Sequence, residues 1–279
     1  MKRLILTAGI LSALLPSLAA QNPASAKPAQ VETKASAAAK PWLAKLQHLD
    51  AKSVEVDLTM AVNMAAMGMK VDMNGHLTFA DEGHYRLDSK LKMSGDALPG
   101  EGGMEMTLLS VADGTTLWNQ IENPMMGQQV MKLSLDFLKK HGMKIRSSNS
   151  GMGLGGGNPF NQVGDYAKMV DFSKVVEAGD SVKLKGSLSK DALAKNPQME
   201  AQGITGVVLT LDKKTSYPLK VELQSADGPV ISMAFSNYLF PKELDITKFT
   251  YQAPEGAMVQ DLEEMLGMMG ETGEDDDEF

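Results

Sequence analysis

The conventional acid–base groups of this 279-residue chain are four histidines, at positions 48, 76, 84 and 141, and 35 acidic residues. Neither set has catalytic spacing. The sequence contains no Gly-x-Ser-x-Gly elbow and no His-Glu-x-x-His motif, and its acids alternate along strand-like segments, as a solvated face does. His76 and His84 could meet across a turn at Asp81-Glu82, but no third ligand is organised beside them. The absence of cysteine excludes thiol catalysis, disulfides, Cys-ligated zinc and lipidation of an N-terminal Cys. Soft chemistry therefore falls to methionine, of which there are 21. Met64-x-x-Met67-x-Met69, Met104-x-Met106, Met125-Met126 and Met265-x-x-Met268-Met269 are spaced like thioether clusters that select Cu(I). The same side chain, unbranched and polarizable, also suits a wall that refits apolar ligands. A copper site needs three sulfurs converging at a point, whereas a lipid cavity needs them spread along a surface.

The elements that carry these methionines favour the surface. From Val54 to Phe79 the chain reads as a β-hairpin. Val54, Val56, Leu58, Met60, Val62 and Met64 alternate with Glu55, Asp57, Thr59, Ala61 and Asn63; Met67, Met69, Val71, Met73, Leu77 and Phe79 alternate with Lys70, Asp72, Asn74, His76 and Thr78. One face is apolar and the other wet. The two-residue period continues through Tyr85, Leu87, Leu91 and Met93 and through Met104, Met106 and Leu108, and Asp113-Gly114 makes a tight turn before Thr115 to Trp118. Further strands are expected over 182–188, 206–211, 219–223 and 230–235, joined by turns at 212–215 and 226–229. No strand is a continuous apolar run, so antiparallel pairing with one wet face is expected over a buried parallel sheet. Helical spacing is confined to 41–49, 133–141, 165–170, 191–195 and 261–269, the last with Asp261 and Glu264 placed as a capping box. A Gly-rich stretch at 147–158 reads as a surface loop and lacks the Gly-Lys-Ser/Thr of a phosphate loop.

The ends set the compartment. Lys2 and Arg3, an apolar run from Leu4 to Leu15, and small residues through Ala20 read as a secretory signal peptide. Residues 21–40, rich in Ala, Pro, Lys and Ser, read as a flexible linker, and 263–279 as a helix end running into an acidic tail. One domain is expected over 41–262. Without Lys2 and Arg3 the chain carries 25 basic against 35 acidic residues, which argues against binding to nucleic acid or to anionic headgroups.

Several motifs resemble the periplasmic outer-membrane lipoprotein carrier family, the LolA/LolB-like fold. Ser110-Val111-Ala112-Asp113-Gly114-Thr115-Thr116-Leu117-Trp118, followed by Asn123-Pro124, resembles the family's central hairpin. The stretch from Asp245 to Val259 resembles its closing strand, Asn158-Pro159-Phe160 its helix-starting motif, and Ser236-Asn237-Tyr238 a strand end. The resemblance implies an α+β fold: a single antiparallel, incompletely closed β-barrel (half-barrel) of about eleven strands with a few short helices as lid. It implies a soluble periplasmic, non-enzymatic and monomeric carrier without cofactor or metal. Such a carrier would take the acyl chains of lipoproteins or free lipids and exchange them with inner- and outer-membrane handover proteins. The cavity wall would comprise Val56, Leu58, Met60, Val62, Met64, Met67, Met69, Val71, Met73, Leu77, Phe79, Tyr85, Leu87, Leu91, Met104, Met106, Leu108 and Trp118, with Trp42, Leu46, Leu135 and Leu138 as lid contacts. Where carrier members have Arg-Pro in the turn that latches the lid, this chain reads Ala80-Asp81-Glu82-Gly83, and Arg86 lies just beyond. The alternatives are a Met-rich Cu(I)-binding protein and a lipid-sensing or structural envelope protein that transports nothing.

Overall fold

The computed structural model describes residues 35–265 apart from 48, 50–52, 65–67, 82, 97–102, 126, 141–162, 164–166 and 196. The signal-peptide reading, most of the linker, the Gly-rich loop, Asn158-Pro159-Phe160 and the acidic tail therefore lie outside the described residues. Twelve strands follow one hydrogen-bonded order, β12-β6-β5-β4-β3-β2-β1-β11-β10-β9-β8-β7. The end strands β12 and β7 each have one neighbour in that order. The fold is an open α+β sheet. The expected count of about eleven falls one short, and the pairing is mixed rather than wholly antiparallel, because β12 runs parallel to β6.

The chain divides into two compact units, residues 51–144 with 231–279, and residues up to 50 with 145–230. The first holds β1 (Val54–Met64), β2 (Met69–Asp81), β3 (His84–Gly95), β4 (Met104–Asp113), β5 (Thr116–Asn123), β6 (Gly127–Ser134), helix α2 (Leu135–Lys140), most of β11 (Gly228–Leu239), the 3-10 turn Ile246–Phe249 and β12 (Met258–Asp261). β1 to β6 form successive antiparallel pairs, and β11 pairs with the far side of β1, Met60 opposite Met233 and Leu58 opposite Phe235. This placement follows from alternation: every second residue of β1 and, save Ser89, of β3 up to Met93 is apolar, and Val54, Val56, Leu58, Met60 and Val62, with Tyr85, Leu87, Leu91 and Met93, are buried.

The second unit holds α1 (Lys40–Gln47), β7 (Val170–Ala178), β8 (Ser181–Leu188), α3 (Lys190–Lys195), α4 (Pro197–Ala201), β9 (Gly206–Asp212) and β10 (Pro218–Ser225). Its core gathers Phe172, Leu184, Leu209, Leu211 and Ile204. The turn before β10 forms as expected, with the Asp212 carboxylate accepting the backbone N–H groups of Lys214 and Thr215 at 3.0 and 2.7 Å. Gly186 is required on β8, since a Cβ there would lie 2.6 Å from Asp171 O.

Three strands escaped the sequence reading. β6 carries Gln129 where alternation demands an apolar side chain, β12 has four residues, and β7 begins at the last residue of the expected helix over 165–170. The closing strand implied for 245–259 is instead the 3-10 turn, an extended stretch and the start of β12. Asp245 makes that break by accepting the Thr247 N–H at 2.9 Å, which commits the chain to a tight turn. At the far end, Asp261 accepts the Glu263 N–H at 3.0 Å, so the expected helix start forms through its cap.

Candidate functional site

The register of the 51–144/231–279 unit sorts its side chains onto two faces. On one, Met233, Met60, Met73, Leu91 and Met106 stand in a single row across β11, β1, β2, β3 and β4. The adjacent row reads Ile231, Val62, Val71, Met93 and Met104. Met73 is 1 % exposed and Met60 3 %, so the face is shielded from water at its centre. Of the wall residues named from sequence, Val56, Leu58, Met60, Val62, Val71, Met73, Leu77, Phe79, Tyr85, Leu87, Leu91 and Met106 share this face and are buried. Met69, Met104 and Leu108 share it half-buried. Met64 occupies the matching register position opposite Met69, and Met67 lies outside the described residues.

Trp118 does not belong to this wall. Tyr85 pairs with Ala112 and Ala112 with Leu117, whereas Trp118 pairs with Val111, which places Leu117 on the apolar face and Trp118 on the other. The turn fixes that parity. The Asp113 carboxylate accepts the N–H groups of Thr115 and Thr116 at 3.0 and 2.8 Å and the Trp118 indole Nε1–H at 2.9 Å. Burial raises the Asp113 pKa, but these hydrogen bonds, with one from the Thr115 hydroxyl, outweigh it and hold the carboxyl below its ordinary range. Trp118 then packs against Tyr251, ring centroids 5.1 Å apart and planes tilted by 38°, and the Tyr251 hydroxyl donates to Gln120 Oε1 at 2.8 Å. Phe249, 1 % exposed, lies 5.8 Å from the His84 ring. Residues 246–251 thus cover part of the second face. Sequence reasoning missed this layer because its apolar members are separated by polar residues.

The rest of the second face is polar. His76 lies opposite Asp57, not near His84, with Nδ1 2.6 Å from Asp57 Oδ1. Asn237, held at φ 55° beyond a β-bulge, donates to Asp57 Oδ2 at 2.7 Å. This bond and the one to His76 lower the Asp57 pKa. His84 bonds Asp81 at 3.0 Å, so the two histidines do not meet. Their strand pairs take them to Asp88 and Asp81 instead. Arg86 forks onto Asp88 at 2.8 and 2.9 Å on this same face. Among the described residues no group of three His, Asp or Glu side chains could hold a metal ion.

The lid candidates split between the units. In α1, Leu46 is buried and Trp42 half-buried, with Lys45 Nζ 4.6 Å over the Trp42 ring. In α2, Leu135 and Leu138 are buried, and Ser134 caps the helix by accepting the Phe137 N–H at 3.2 Å.

No family model and no curated protein matches the chain. Among solved structures it is similar to LprF from Mycobacterium bovis, at 12 % identity over 75 % of this chain and 98 % of that one, with a TM-score of 0.43. It is also similar to an uncharacterized conserved protein from Thermus thermophilus, at 10 % identity over 80 % and 99 % of the two chains and TM-score 0.39. A LolA superfamily protein from Nitrosomonas europaea aligns at 13 % identity over 76 % and 97 %, with a TM-score of 0.26.

Proposed function

We propose that the protein is an exported, non-enzymatic carrier that shelters acyl chains of lipids or lipoproteins against the apolar face of its 51–144/231–279 unit. The observation that carries this reading is the continuity of that face: apolar side chains occupy successive register positions from β11 to β4, with methionine in four of the five places of one row. Each sheltered methylene stabilises a complex by about 0.8 kcal/mol, so one long chain binds firmly without any specific polar contact. Methionine lets the wall refit chains of different length and branching. The carrier-like motifs around Asp113 and the signal-peptide pattern at the start of the chain support transport in the periplasm, with handover proteins in the two membranes as partners. Trp42, Leu46, Leu135 and Leu138 remain the proposed lid contacts. In this reading residues 1–20 are a signal peptide, 21–40 a linker, 41–262 the carrier domain and 263–279 an appended tail.

The test is mass spectrometry of species co-purifying with the native protein, together with displacement of an apolar dye. Bound diacyl species and displacement by acylated ligands are expected. A protein that neither carries lipid nor takes up the dye would end the carrier reading. A second reading draws on one observation, the neighbouring register positions of Met233, Met60 and Met73 on three adjacent strands, from which a Cu(I) site would need the three sulfurs to converge. Saturable Cu(I) binding without lipid uptake would favour it.

A further inference from the structure

The apolar face is not uniform, and its two gradients run the same way. On β1, β2, β3 and the 231–235 stretch of β11 the polar groups it carries are Ser89 and the Tyr85 hydroxyl, and both are satisfied. Ser89 donates to Leu108 O at 3.2 Å, and the Tyr85 hydroxyl lies 3.0 Å from Ser110 Oγ. Toward the other edge three side-chain amides surround Met131: Asn119 opposite it on β5, Gln260 opposite it on β12, and Gln129 two residues earlier on β6. Exposure follows polarity. Tyr85 and Met73 are 1 % exposed, whereas Asn119, Gln129 and Gln260 are all partly open to solvent.

Two of these amides are available, those of Asn119 and Gln129, while Gln260 Nε2 donates to Met258 Sδ at 4.0 Å. Buried Asn123 shows what a committed amide looks like here, with Nδ2 donating to Met104 Sδ at 3.1 Å and Oδ1 accepting the Met125 N–H at 2.8 Å. The side chains of Asn119 and Gln129 make no hydrogen bond among the described residues. Charge is absent as well. Following the register from β11 to β12, no Asp, Glu, Lys, Arg or His shares this face. Lys132 pairs with Trp118, Glu122 with Thr107 and Glu105 with Lys92, all on the opposite side.

We propose that this face takes its ligand in one orientation and with one class of headgroup. The acyl tail lies over β11, β1, β2 and β3, and an uncharged polar headgroup, an ester or amide, meets Asn119, Gln129 and Gln260. The proposal rests on the acyl-binding reading and adds the headgroup class and its place. An amide offers both N–H donors and a carbonyl acceptor, which suits an ester or hydroxyl. A carboxylate or phosphate at the same place loses hydration and meets no counter-charge on the wall.

The experiment uses the full exported chain loaded with 1-N-phenylnaphthylamine and displaced by three ligands that share one oleoyl chain: monooleoylglycerol, oleate at pH 9 and oleoyl lysophosphatidate. The glyceride is expected to displace the dye at about tenfold lower concentration than either anion, the factor that an uncompensated charge imposes at a half-exposed site. Equal or better displacement by either anion overturns the proposal and leaves the carrier reading standing. Failure of the dye and of all three ligands to bind removes the carrier reading itself. Asn119→Lys and Gln129→Lys should narrow the gap by improving the anions, and Gln129→Glu should widen it. A gap unchanged in variants with intact dye affinity overturns the assignment of these residues.

Discussion

At the scale of single residues, Asp113 decides more than its size suggests. One carboxylate holds the turn backbone and the Trp118 indole, and hydrogen bonds to a charged acceptor contribute about 1.5–3 kcal/mol. Asp113→Ala is expected to cost an amount in that range at pH 7, measured by urea denaturation. The Asp113 pKa is lowered in the folded state, so its contribution is fully present above the ordinary carboxyl value near ~4 and is lost as pH falls through the folded value. The variant and the parent should therefore converge at low pH; a deficit of constant size would show that the carboxylate charge is not what the turn uses. Gly114 is held at φ 94°, and a Cβ there would lie 2.6 Å from His84 Nε2. Gly114→Ala should destabilise by more than about 1 kcal/mol in the same assay, because both conformation and space refuse it. The turn itself was legible from Asp113-Gly114, but the side on which Trp118 emerges was not. A two-residue period gives alternation within a strand and leaves open how one strand's parity passes to the next, which the turn alone sets.

At the scale of elements, the Met-bearing strands test whether adaptability matters. Replacing Met60, Met73 and Met233 together by Ile keeps hydrophobicity and nearly keeps volume, so each change should cost under about 1.5 kcal/mol. The consequence should appear in ligand breadth, with the variant accepting a narrower range of fatty-alcohol chain lengths than the parent in dye displacement. An unchanged range would mean that the methionines only fill space. The hairpin β1–β2 was readable because its apolar side chains keep to one face along its length, as was the β3 alternation from Tyr85 to Met93. β6 and β12 were not, and the reason is physical: their face carries Gln129 and Gln260, so polarity no longer reports which side faces the core. Helices α1, α2 and α3 came through to within a few residues, since Pro41, Ser134 and Asp191 mark their starts, whereas α4 was not expected. The same loss of alternation that hid β6 and β12 is what distinguishes one edge of the face from the other.

At the scale of the whole molecule, a formal net charge of −8 sets how the chain meets surfaces. Long-range repulsion should keep it off anionic vesicles. Sedimentation with phosphatidylglycerol vesicles at low salt should recover no more protein than with zwitterionic ones; marked enrichment would point to a basic region that the average conceals. Composition thus argues against anionic partners from the sequence alone, whereas the division into two compact units, 51–144 with 231–279 and the remainder, had no counterpart in the pattern. Strand signals along the chain do not record where it leaves one core and returns to it.

The pairing of β1 with β11 has a kinetic consequence. Strands β1 to β6 can zip as successive neighbours through short connections, but Met60 must wait for Met233, and β6 must wait for Met258. Closing such long loops slows folding. During that interval the row of Met60, Met73 and Met106 stands beside an unpaired strand edge, a template for another chain. Early in its life the surface we assign to sheltering lipids is itself a surface in need of shelter.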